Sequence, residues 1–252
     1  MRFKDQVVII TGAGAGIGKA TALLFAAEGA KIVAGDIDPD RIDALVTEVK
    51  AKGAEIVGVV GNIASIIDSE RLVDTAKDHF GRVDILVNNA GIVDRFLPVG
   101  EMTDEVWKRV MGVNLDGPMY TMRRAIPLML EQGKGVIVNV ASTAGVGGGF
   151  AGAAYTASKH GLIGLTQNTA WMYANSGIRC VAVAPGGVKT SITLGGDPSP
   201  FGYDRLKPIF GTMTRSGEPE ELARVIAFLA SDEASFVNGA VVAADGGWTS
   251  GG

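Results

Sequence analysis

Short runs rich in Val and Ile alternate along this chain with longer segments of helical periodicity. A parallel sheet requires such alternation, because each strand must return to the starting edge through a crossover, which is usually a helix. Several of the runs are apolar almost throughout, which is typical of strands covered on both faces. The sequence therefore predicts an α/β fold with strands at residues 7–11, 31–36, 55–60, 85–88, 135–141, 178–184 and 240–243.

Helices are predicted between these strands from the spacing of apolar residues. They cover residues 16–28, 40–52, 65–80, 104–131, 154–176 and 220–231. Because Gly112, Gly117 and Pro118 interrupt the fourth of these segments, we expect either two helices or one bent helix there.

The chain is predicted to form one domain, residues 1–252. Its 252 residues are 47% apolar, which is enough to build a large core, and no linker, repeat or low-complexity stretch divides it. One long segment, residues 190–218, is rich in Gly and Pro and carries no strand or helix pattern. We expect this segment to be irregular and to act as a substrate lid, the alternative being a mobile surface excursion.

Charge and cysteine content exclude several classes of protein. With 23 basic and 27 acidic residues, a net charge of −4 and no Lys/Arg-rich run, the chain is not expected to bind nucleic acid or a membrane surface. Cys180 stands alone and cannot form an internal disulfide, while His79 and His160 are too few for zinc, so no metal is expected. Because the N-terminus shows no cleavable apolar segment and no run is long enough to span a bilayer, we expect a cytoplasmic protein.

A glycine-rich turn follows the first predicted strand and opens the first predicted helix. It reads Thr11-Gly-Ala-Gly-Ala-Gly-Ile-Gly18, in which Gly12, Gly16 and Gly18 give a longer turn than the usual G-x-G-x-x-G. Backbone N–H groups at such a helix N-terminus suit a pyrophosphate, since the helix dipole is positive there. The turn alone could be structural, but its place between a strand and a helix favours dinucleotide binding.

Asp36 ends the second predicted strand, 18 residues beyond Gly18. An acid at this position can accept hydrogen bonds from the adenosine ribose, and it repels a 2′-phosphate. Neither Ile37 nor Ala15, the usual places for a phosphate-binding cation, is basic. The sequence therefore favours NAD over NADP. Two alternatives stay open, because Asp36 could be a helix cap and Arg41 is close in sequence.

Tyr155 and Lys159 stand at i and i+4 of a predicted helix, so their side chains share one face. Ser142 follows a predicted strand, at the edge where open α/β sheets bind ligands. A phenol beside an ammonium can exchange a proton with an alcohol, and a hydroxyl can hold the alcohol oxygen. Taken singly, each residue has an ordinary alternative as part of an exposed helix pair or as a helix cap.

At these residues the sequence resembles the short-chain dehydrogenase/reductase family, and the resemblance covers nearly the whole chain. The motifs that carry it follow the family's order and are Thr11-x-x-x-Gly16-Ile17-Gly18, Asn88-Asn89-Ala90-Gly91 and Pro185-Gly186-Gly187-Val188-Lys189-Thr190. Asn62-Ile63 departs from the family's more usual Asp and apolar residue, and Ala141 precedes Ser142 where a second Ser is frequent. The resemblance implies a Rossmann-like, doubly wound, seven-stranded parallel sheet in the order 3-2-1-4-5-6-7, with helices on both faces.

The resemblance also implies the site residues. The catalytic set is Asn114, Ser142, Tyr155 and Lys159, in which Tyr155 is the general acid/base, Lys159 also binds the nicotinamide ribose and Asn114 belongs to a water-linked proton relay. The expected cofactor-binding residues are Gly12, Gly16, Ile17, Gly18, Asp36, Ile37, Asn62, Ile63, Asn89, Ala90, Gly91, Tyr155, Lys159, Pro185, Gly186, Val188 and Thr190.

The implied function is NAD-dependent interconversion of a secondary alcohol and a ketone by hydride transfer. Substrate-binding candidates lie at strand ends and in the lid, and their mostly small or apolar character favours a neutral substrate; they are Ser142, Val93, Val146, Phe150 and Gly187, with Phe96, Leu194 and Phe201. The alternatives are an NADPH-using enzyme like 3-oxoacyl-carrier-protein reductase and a nicotinamide-binding sensor without turnover. The resemblance further suggests a homotetramer.

Overall fold

The computed structural model describes residues 1–190, 192 and 194–251. Within them, one parallel sheet contains β1 (Val7–Thr11), β2 (Lys31–Asp36), β3 (Ile56–Val60), β4 (Ile85–Asn88), β5 (Gly135–Val140), β6 (Ile178–Pro185) and β7 (Val241–Ala244). The strand order is β3-β2-β1-β4-β5-β6-β7, and every neighbouring pair is parallel. The predicted seven-stranded, doubly wound sheet is confirmed, and the predicted strand ends differ from the observed ends by one residue at most.

The helices of the described residues are α1 (Gly16–Ala27), α2 (Pro39–Ala51), α3 (Ile66–Phe80), α4 (Asp104–Met111), α5 (Gly117–Gln132), α6 (Ala153–Tyr173), α7 (Pro200–Phe210) and α8 (Pro219–Ala230). Side chains of β1 alternate between two apolar layers, because successive residues of a strand point to opposite faces. One layer packs against α1, α2 and α8, and the other against α3, α5 and α6. None of these helices combines the length and apolar character that a membrane crossing requires.

A π-helical turn, Gly112–Asp116, joins α4 to α5 without a break in the chain of helical residues. The sequence left two helices and one bent helix as alternatives, and the structure has two helices on a continuous path. A Cβ at Gly117 would lie 2.9 Å from the carbonyl oxygen of Ile63, so this turn packs closely against the loop after β3. Asn114 lies in this turn, and its side chain is fully buried.

The prediction that residues 190–218 are irregular is wrong for the part that forms α7. Ser199 caps this helix, since its hydroxyl accepts a hydrogen bond from the N–H of Gly202 at 3.0 Å, and Pro200 occupies the first turn. A side chain at Gly202 would clash with the carbonyl of Phe96, so this glycine is required by packing. Ser191 and Thr193 of the predicted lid, and Gly252 of the predicted domain, lie outside the described residues.

Candidate active site

The glycine turn between β1 and α1 is closely packed. Gly12 and Gly16 have φ angles of 63° and 52°, in the left-handed region that favours glycine. A Cβ at Gly18 would clash with the carbonyl oxygen of Gly12, so the first turn of α1 can approach the loop only with glycine there. Because N–H groups in the first turn of a helix have no acceptor within the helix, the start of α1 is suited to binding an anion.

The Asn-Asn-Ala-Gly motif holds this turn against the end of β4. The Thr11 hydroxyl accepts hydrogen bonds from the N–H groups of Asn89 and Ala90, at 2.9 and 3.0 Å. The Asn89 side-chain amide donates to the carbonyls of Thr11 and Gly12, at 3.0 and 3.1 Å. This motif and the glycine turn thus form one rigid unit across the ends of β1 and β4.

Asp36 ends β2 and closes the other side of the turn. Its Oδ2 accepts from the N–H of Gly14 at 2.9 Å, and its Oδ1 accepts from the N–H of Asp38 at 3.1 Å. Arg41 also lines the cleft beside Asp36, and its guanidinium pairs with Asp38 at 3.0 Å. The carboxylate is thus fixed at the position where an adenosine ribose is expected, with a paired cation nearby.

The first turn of α3 has a carboxylate that sequence reasoning missed and that holds the loop after β3. Asp68, in the first turn of α3, accepts from the N–H of Asn62 at 3.0 Å and pairs with Arg71 at 2.7 Å. Asn62 itself accepts from the N–H of Ala64 at 3.0 Å, so its side chain shapes the loop. The only sequence signal for Asp68 was its position three residues after the helix cap Ser65.

These elements surround a cleft of about 630 Å³ at the carboxyl ends of the strands. Ser142, Gly187 and every predicted cofactor-binding residue except Gly18 line it. Arg41, which the sequence analysis named as a nearby cation, lines it too, and other lining residues that the sequence did not single out include Asp68, Ile92, Val113 and Ile192. The cleft therefore brings together the glycine turn, Asp36 and three of the four predicted catalytic residues, Ser142, Tyr155 and Lys159, whereas Asn114 is not among its lining residues.

Lys159 is buried on α6, with only 3% of its surface exposed. Its ammonium donates to the carbonyl of Val140, at the end of β5, at 2.9 Å. The same nitrogen lies 5.6 Å from the centroid of the Tyr155 ring. Because burial disfavours the charged form, the pKa of Lys159 falls to about 8.

Tyr155 lies one turn before Lys159 on α6, and Ser142 lies directly beyond the end of β5. Burial raises the pKa of the Tyr155 phenol, a hydrogen bond with Ser142 lowers it, and the nearby Asp94 carboxylate raises it. The Ser142 hydroxyl oxygen also accepts from the N–H of Ala144 at 3.1 Å, which fixes its rotamer. The surrounding protein groups together therefore favour the neutral phenol.

Asn114 lies in the π-helical turn and is fully buried. Its side-chain oxygen accepts from the N–H of Ile92, and its amide donates to the carbonyl of Ile92, both at 2.9 Å. The amide also donates to the Ser158 hydroxyl at 3.1 Å. These bonds tie the turn to α6 and to the loop after β4, so the side chain is engaged within the protein. Its expected place in a proton relay stays a prediction.

Most of the substrate-binding candidates lie outside this cleft. Val93, Val146, Phe150, Phe96, Leu194 and Phe201 are not among its lining residues. The Phe150 ring instead packs edge-on against Trp248, at 4.8 Å between centroids, and Phe210 of α7 lies 6.3 Å from Trp248. An aromatic cluster thus joins the loop after β5, α7 and the C-terminal turn. Sequence reasoning missed Trp248 because the ring contacts and side-chain hydrogen bonds of its indole are with residues distant along the chain.

A cleft at the carboxyl ends of a doubly wound parallel sheet, lined by a glycine turn, a serine, a tyrosine and a lysine, is typical of Rossmann-type oxidoreductases. A family model described as enoyl-(acyl carrier protein) reductase matches residues 12–249. The chain is 44% identical to 3beta-hydroxysteroid dehydrogenase 2 of Eggerthella lenta, over 97% of this chain and 95% of that protein. It is 42% identical to a 3-oxoacyl-[acyl-carrier-protein] reductase of Thermotoga maritima, over 98% of this chain and 99% of that protein.

Among solved structures, levodione reductase superimposes with a TM-score of 0.90, at 36% identity and with 100% of both chains covered. The chain belongs to the short-chain dehydrogenase/reductase family of oxidoreductases. The resemblance inferred from the motifs is confirmed.

Proposed function

We propose that this protein interconverts a secondary alcohol and a ketone with NAD(H), using Tyr155 as the general acid/base. The observation that carries the proposal is the grouping of Ser142, Tyr155 and Lys159 in one cleft that the glycine turn and Asp36 also line. The names of the hydroxysteroid dehydrogenase and levodione reductase relatives support a reaction at an alcohol or ketone carbon.

The proton transfer follows from the positions of these side chains. In the oxidation direction the ionised Tyr155 oxygen takes the alcohol proton, and in reduction the phenol returns a proton to the ketone oxygen. Hydride exchange with the same carbon is the chemistry that a nicotinamide supplies when bound. Ser142 donates a hydrogen bond to the substrate oxygen as it gains negative charge.

Lys159 favours the ionised form of Tyr155, because its positive charge lies 5.6 Å from the ring. The phenol must otherwise ionise at a pH well above neutral, since burial raises its pKa. Lys159 would also hold the nicotinamide ribose, and Asn114 would connect Lys159 to a water relay. A Cβ at Gly91 would lie 3.5 Å from both the Lys159 nitrogen and the Asn114 oxygen, so both groups face Gly91.

The residues present fit an NAD dinucleotide. The bare glycine turn leaves backbone N–H groups for the pyrophosphate, and Asp36 would bind the adenosine ribose hydroxyls. The other predicted cofactor residues that line the cleft would contact the adenine or the nicotinamide. Asp36 also opposes a 2′-phosphate through charge repulsion, which is the basis for proposing NAD rather than NADP.

We propose a neutral, largely apolar substrate. Gly187 and Ser142 line the cleft, and we retain Val93, Val146 and Phe150 as groups around the substrate mouth. The Phe150–Trp248 pair provides apolar surface next to α7. No Lys/Arg-rich run accompanies these groups in the sequence, which disfavours a phosphorylated substrate.

A second candidate is an NADPH-dependent reductase acting on 3-oxoacyl carrier-protein substrates. Arg41 favours it, because this cation lines the cleft next to Asp36 and could hold a 2′-phosphate if it left Asp38. The names of the family model and of the Thermotoga maritima relative both refer to acyl-carrier-protein substrates. A marked preference for NADPH would select this candidate over the first.

We further propose that residues 1–252 act as one domain with residues 190–218, including α7, as its lid. The same proposal includes a cytoplasmic location and a homotetramer. Exposed side chains such as Trp171, with 83% of its surface accessible on α6, are compatible with packing between subunits.

The test is the change in NADH absorbance across a panel of neutral secondary alcohols with NAD⁺ and of matching ketones with NADH. Turnover of any alcohol or ketone in the panel supports the proposal. The order of the rates across the panel shows which substrate shape the cleft accepts. Binding of NADH, seen as a rise in melting temperature, with no turnover on the panel or on 3-oxoacyl thioesters would favour a sensor. No effect of NADH on melting would contradict both.

A further inference from the structure

Asp94 is a buried carboxyl group in the loop after β4 that the proposed chemistry does not use. None of its surface is exposed. Its Oδ2 accepts a hydrogen bond from the backbone N–H of Tyr155 at 2.9 Å, and its Oδ1 has no hydrogen-bond partner among the described residues. Removing a carboxylate from water is costly, so its contact with Tyr155 calls for a specific role.

This contact fixes the first turn of α6. The helix begins at Ala153, and Gly152 before it has no side chain to act as a cap. Tyr155 is the third helical residue, whose N–H has no acceptor inside the helix. Asp94 supplies that acceptor, and the carbonyl of Leu97 accepts from the N–H of Ala153 at 2.9 Å. The loop at 94–97 therefore holds the turn from which Tyr155 projects.

The carboxylate fits closely against this turn. A Cβ at Gly152 would lie 2.6 Å from the Oδ2 of Asp94 and would clash with its Oδ1. Gly152 has a φ of −76°, which any residue can adopt, so packing against Asp94 is what requires glycine there.

The same loop contacts the lid helix. Arg95 and Phe96 have φ angles of 59° and 57°, a left-handed conformation that is unusual for two successive side-chain-bearing residues. The carbonyl of Arg95 accepts from the N–H of Ser199, the cap of α7, at 2.9 Å. The Phe96 ring lies 5.5 Å from that of Phe210 at the end of α7. Contacts on both sides hold this strained loop in place.

We propose that Asp94 is a positioning residue, which holds Tyr155 in its reactive place through the first turn of α6 while its own loop seats α7. The proposal rests on the proposed function, because it assigns Asp94 a part in proton exchange by Tyr155. The charge of Asp94 has a second consequence, since a nearby anion opposes formation of the phenolate.

Several groups face this turn. Burial raises the pKa of Asp94, and the N–H of Tyr155 opposes that rise. Lys159 comes from α6, whereas α4 packs here through apolar side chains. The Arg95 side chain lies against the lid segment, since a Cβ at Gly196 would be 3.4 Å from its Nη1. His160 and Arg205 line an outer groove beside Phe96. Exchanging Asp94 for a neutral group is thus expected to favour the ionised form of Tyr155.

The experiment compares Asp94→Asn, which keeps a hydrogen-bond acceptor without charge, with Asp94→Ala, which removes both. Asp104→Asn is the matched control, because Asp104 lies exposed in the first turn of α4. The Tyr155 titration is followed by phenolate absorbance with NAD⁺ bound, as the difference between each protein and the same protein carrying Tyr155→Phe. The kcat and the KM for NAD⁺ are measured on the same proteins.

For Asp94→Asn we expect the Tyr155 titration and the rising limb of the oxidation rate to move to lower pH by about half a unit to one unit. For Asp94→Ala we expect kcat to fall roughly 10- to 100-fold, because Tyr155 loses its placement, with the KM for NAD⁺ within about twofold of wild type. Asp104→Asn is expected to match wild type in every measurement.

The proposal is overturned if Asp94→Asn leaves the Tyr155 titration at its wild-type pH. It is also overturned if Asp94→Ala keeps the wild-type kcat. A simultaneous fall in kcat, NAD⁺ affinity and melting temperature in Asp94→Ala would overturn it too, because that result indicates a purely structural role. If Asp94→Ala does not fold, the Asn variant decides alone. Wild-type protein without turnover on any substrate would contradict the proposed function, whereas the phenolate titration needs no turnover and still tests the action of Asp94.

Discussion

The Lys159 ammonium donates its hydrogen bond to the carbonyl of Val140, at 2.9 Å, and stays 5.6 Å from the centroid of the Tyr155 ring. The ammonium group is thus hydrogen-bonded to the end of β5, and its effect on the phenol is electrostatic. Lys159 makes no ion pair within the described residues, and its burial is nearly complete. Since burial lowers its pKa to about 8, the fold holds this charge at a cost to stability.

Lys159→Met is expected to make the protein more stable at pH 7 while abolishing turnover. The folded protein carries a buried charge there, and removing it should raise the free energy of unfolding by about 1–3 kcal/mol, after the loss of the bond to Val140. Folded Lys159 loses its proton near pH 8, whereas the unfolded chain keeps it up to about 10.5. The free energy of unfolding of the wild-type protein should therefore rise between these pH values. The difference in stability between Lys159→Met and wild type should become smaller over the same range.

Urea unfolding at pH 7 and pH 9.5 measures this effect, with Lys108→Met as the control because Lys108 is exposed on α4. If Lys159→Met is less stable than wild type by the same amount at both pH values, the buried charge of Lys159 does not lower the stability of the wild-type protein.

Gly18→Ala should weaken NADH binding by about tenfold or more and lower stability by about 1–3 kcal/mol. Its methyl group would clash with the carbonyl of Gly12, so either α1 or the glycine turn must move. Fluorescence titration of NADH and thermal melting measure the two effects. The control is Gly100→Ala, where a Cβ would meet nothing within 4 Å. Equal NADH affinity in both variants would mean that the turn does not bind the pyrophosphate.

Asp36→Ser is expected to shift cofactor preference towards NADP by at least about tenfold in the ratio of kcat/KM values, because it removes charge repulsion next to Arg41. Adding Arg41→Ala should reverse the gain for NADP, since that cation would hold the phosphate. Steady-state rates with both cofactors measure the ratio. Wild-type protein that already prefers NADPH would show that Asp36 does not select NAD.

The strands, the glycine turn and the Ser–Tyr–Lys set could be predicted because their signals are local. The strand Val7–Thr11 is apolar up to Ile10, and Tyr155 and Lys159 are one helical turn apart. The strand ends follow directly from such runs.

Other features depend on contacts that no local pattern encodes. Helix α7 contains Gly202 and Pro208, both poor helix formers, and it persists through its Ser199 cap and its packing on Phe96. The partner of Asp94 is 61 residues away along the chain. Burial of that carboxylate could be seen only in the folded structure.

The most direct test of the account is the pH dependence of kcat/KM for alcohol oxidation by wild-type protein and Tyr155→Phe, with NADH affinity measured on both. Because the phenol oxygen is the proposed proton acceptor, the variant is expected to lose roughly 10²–10⁴-fold in kcat/KM at every pH, with an NADH Kd within about twofold of wild type. Tyr155→Phe protein that keeps more than a tenth of wild-type activity would contradict the role of Tyr155.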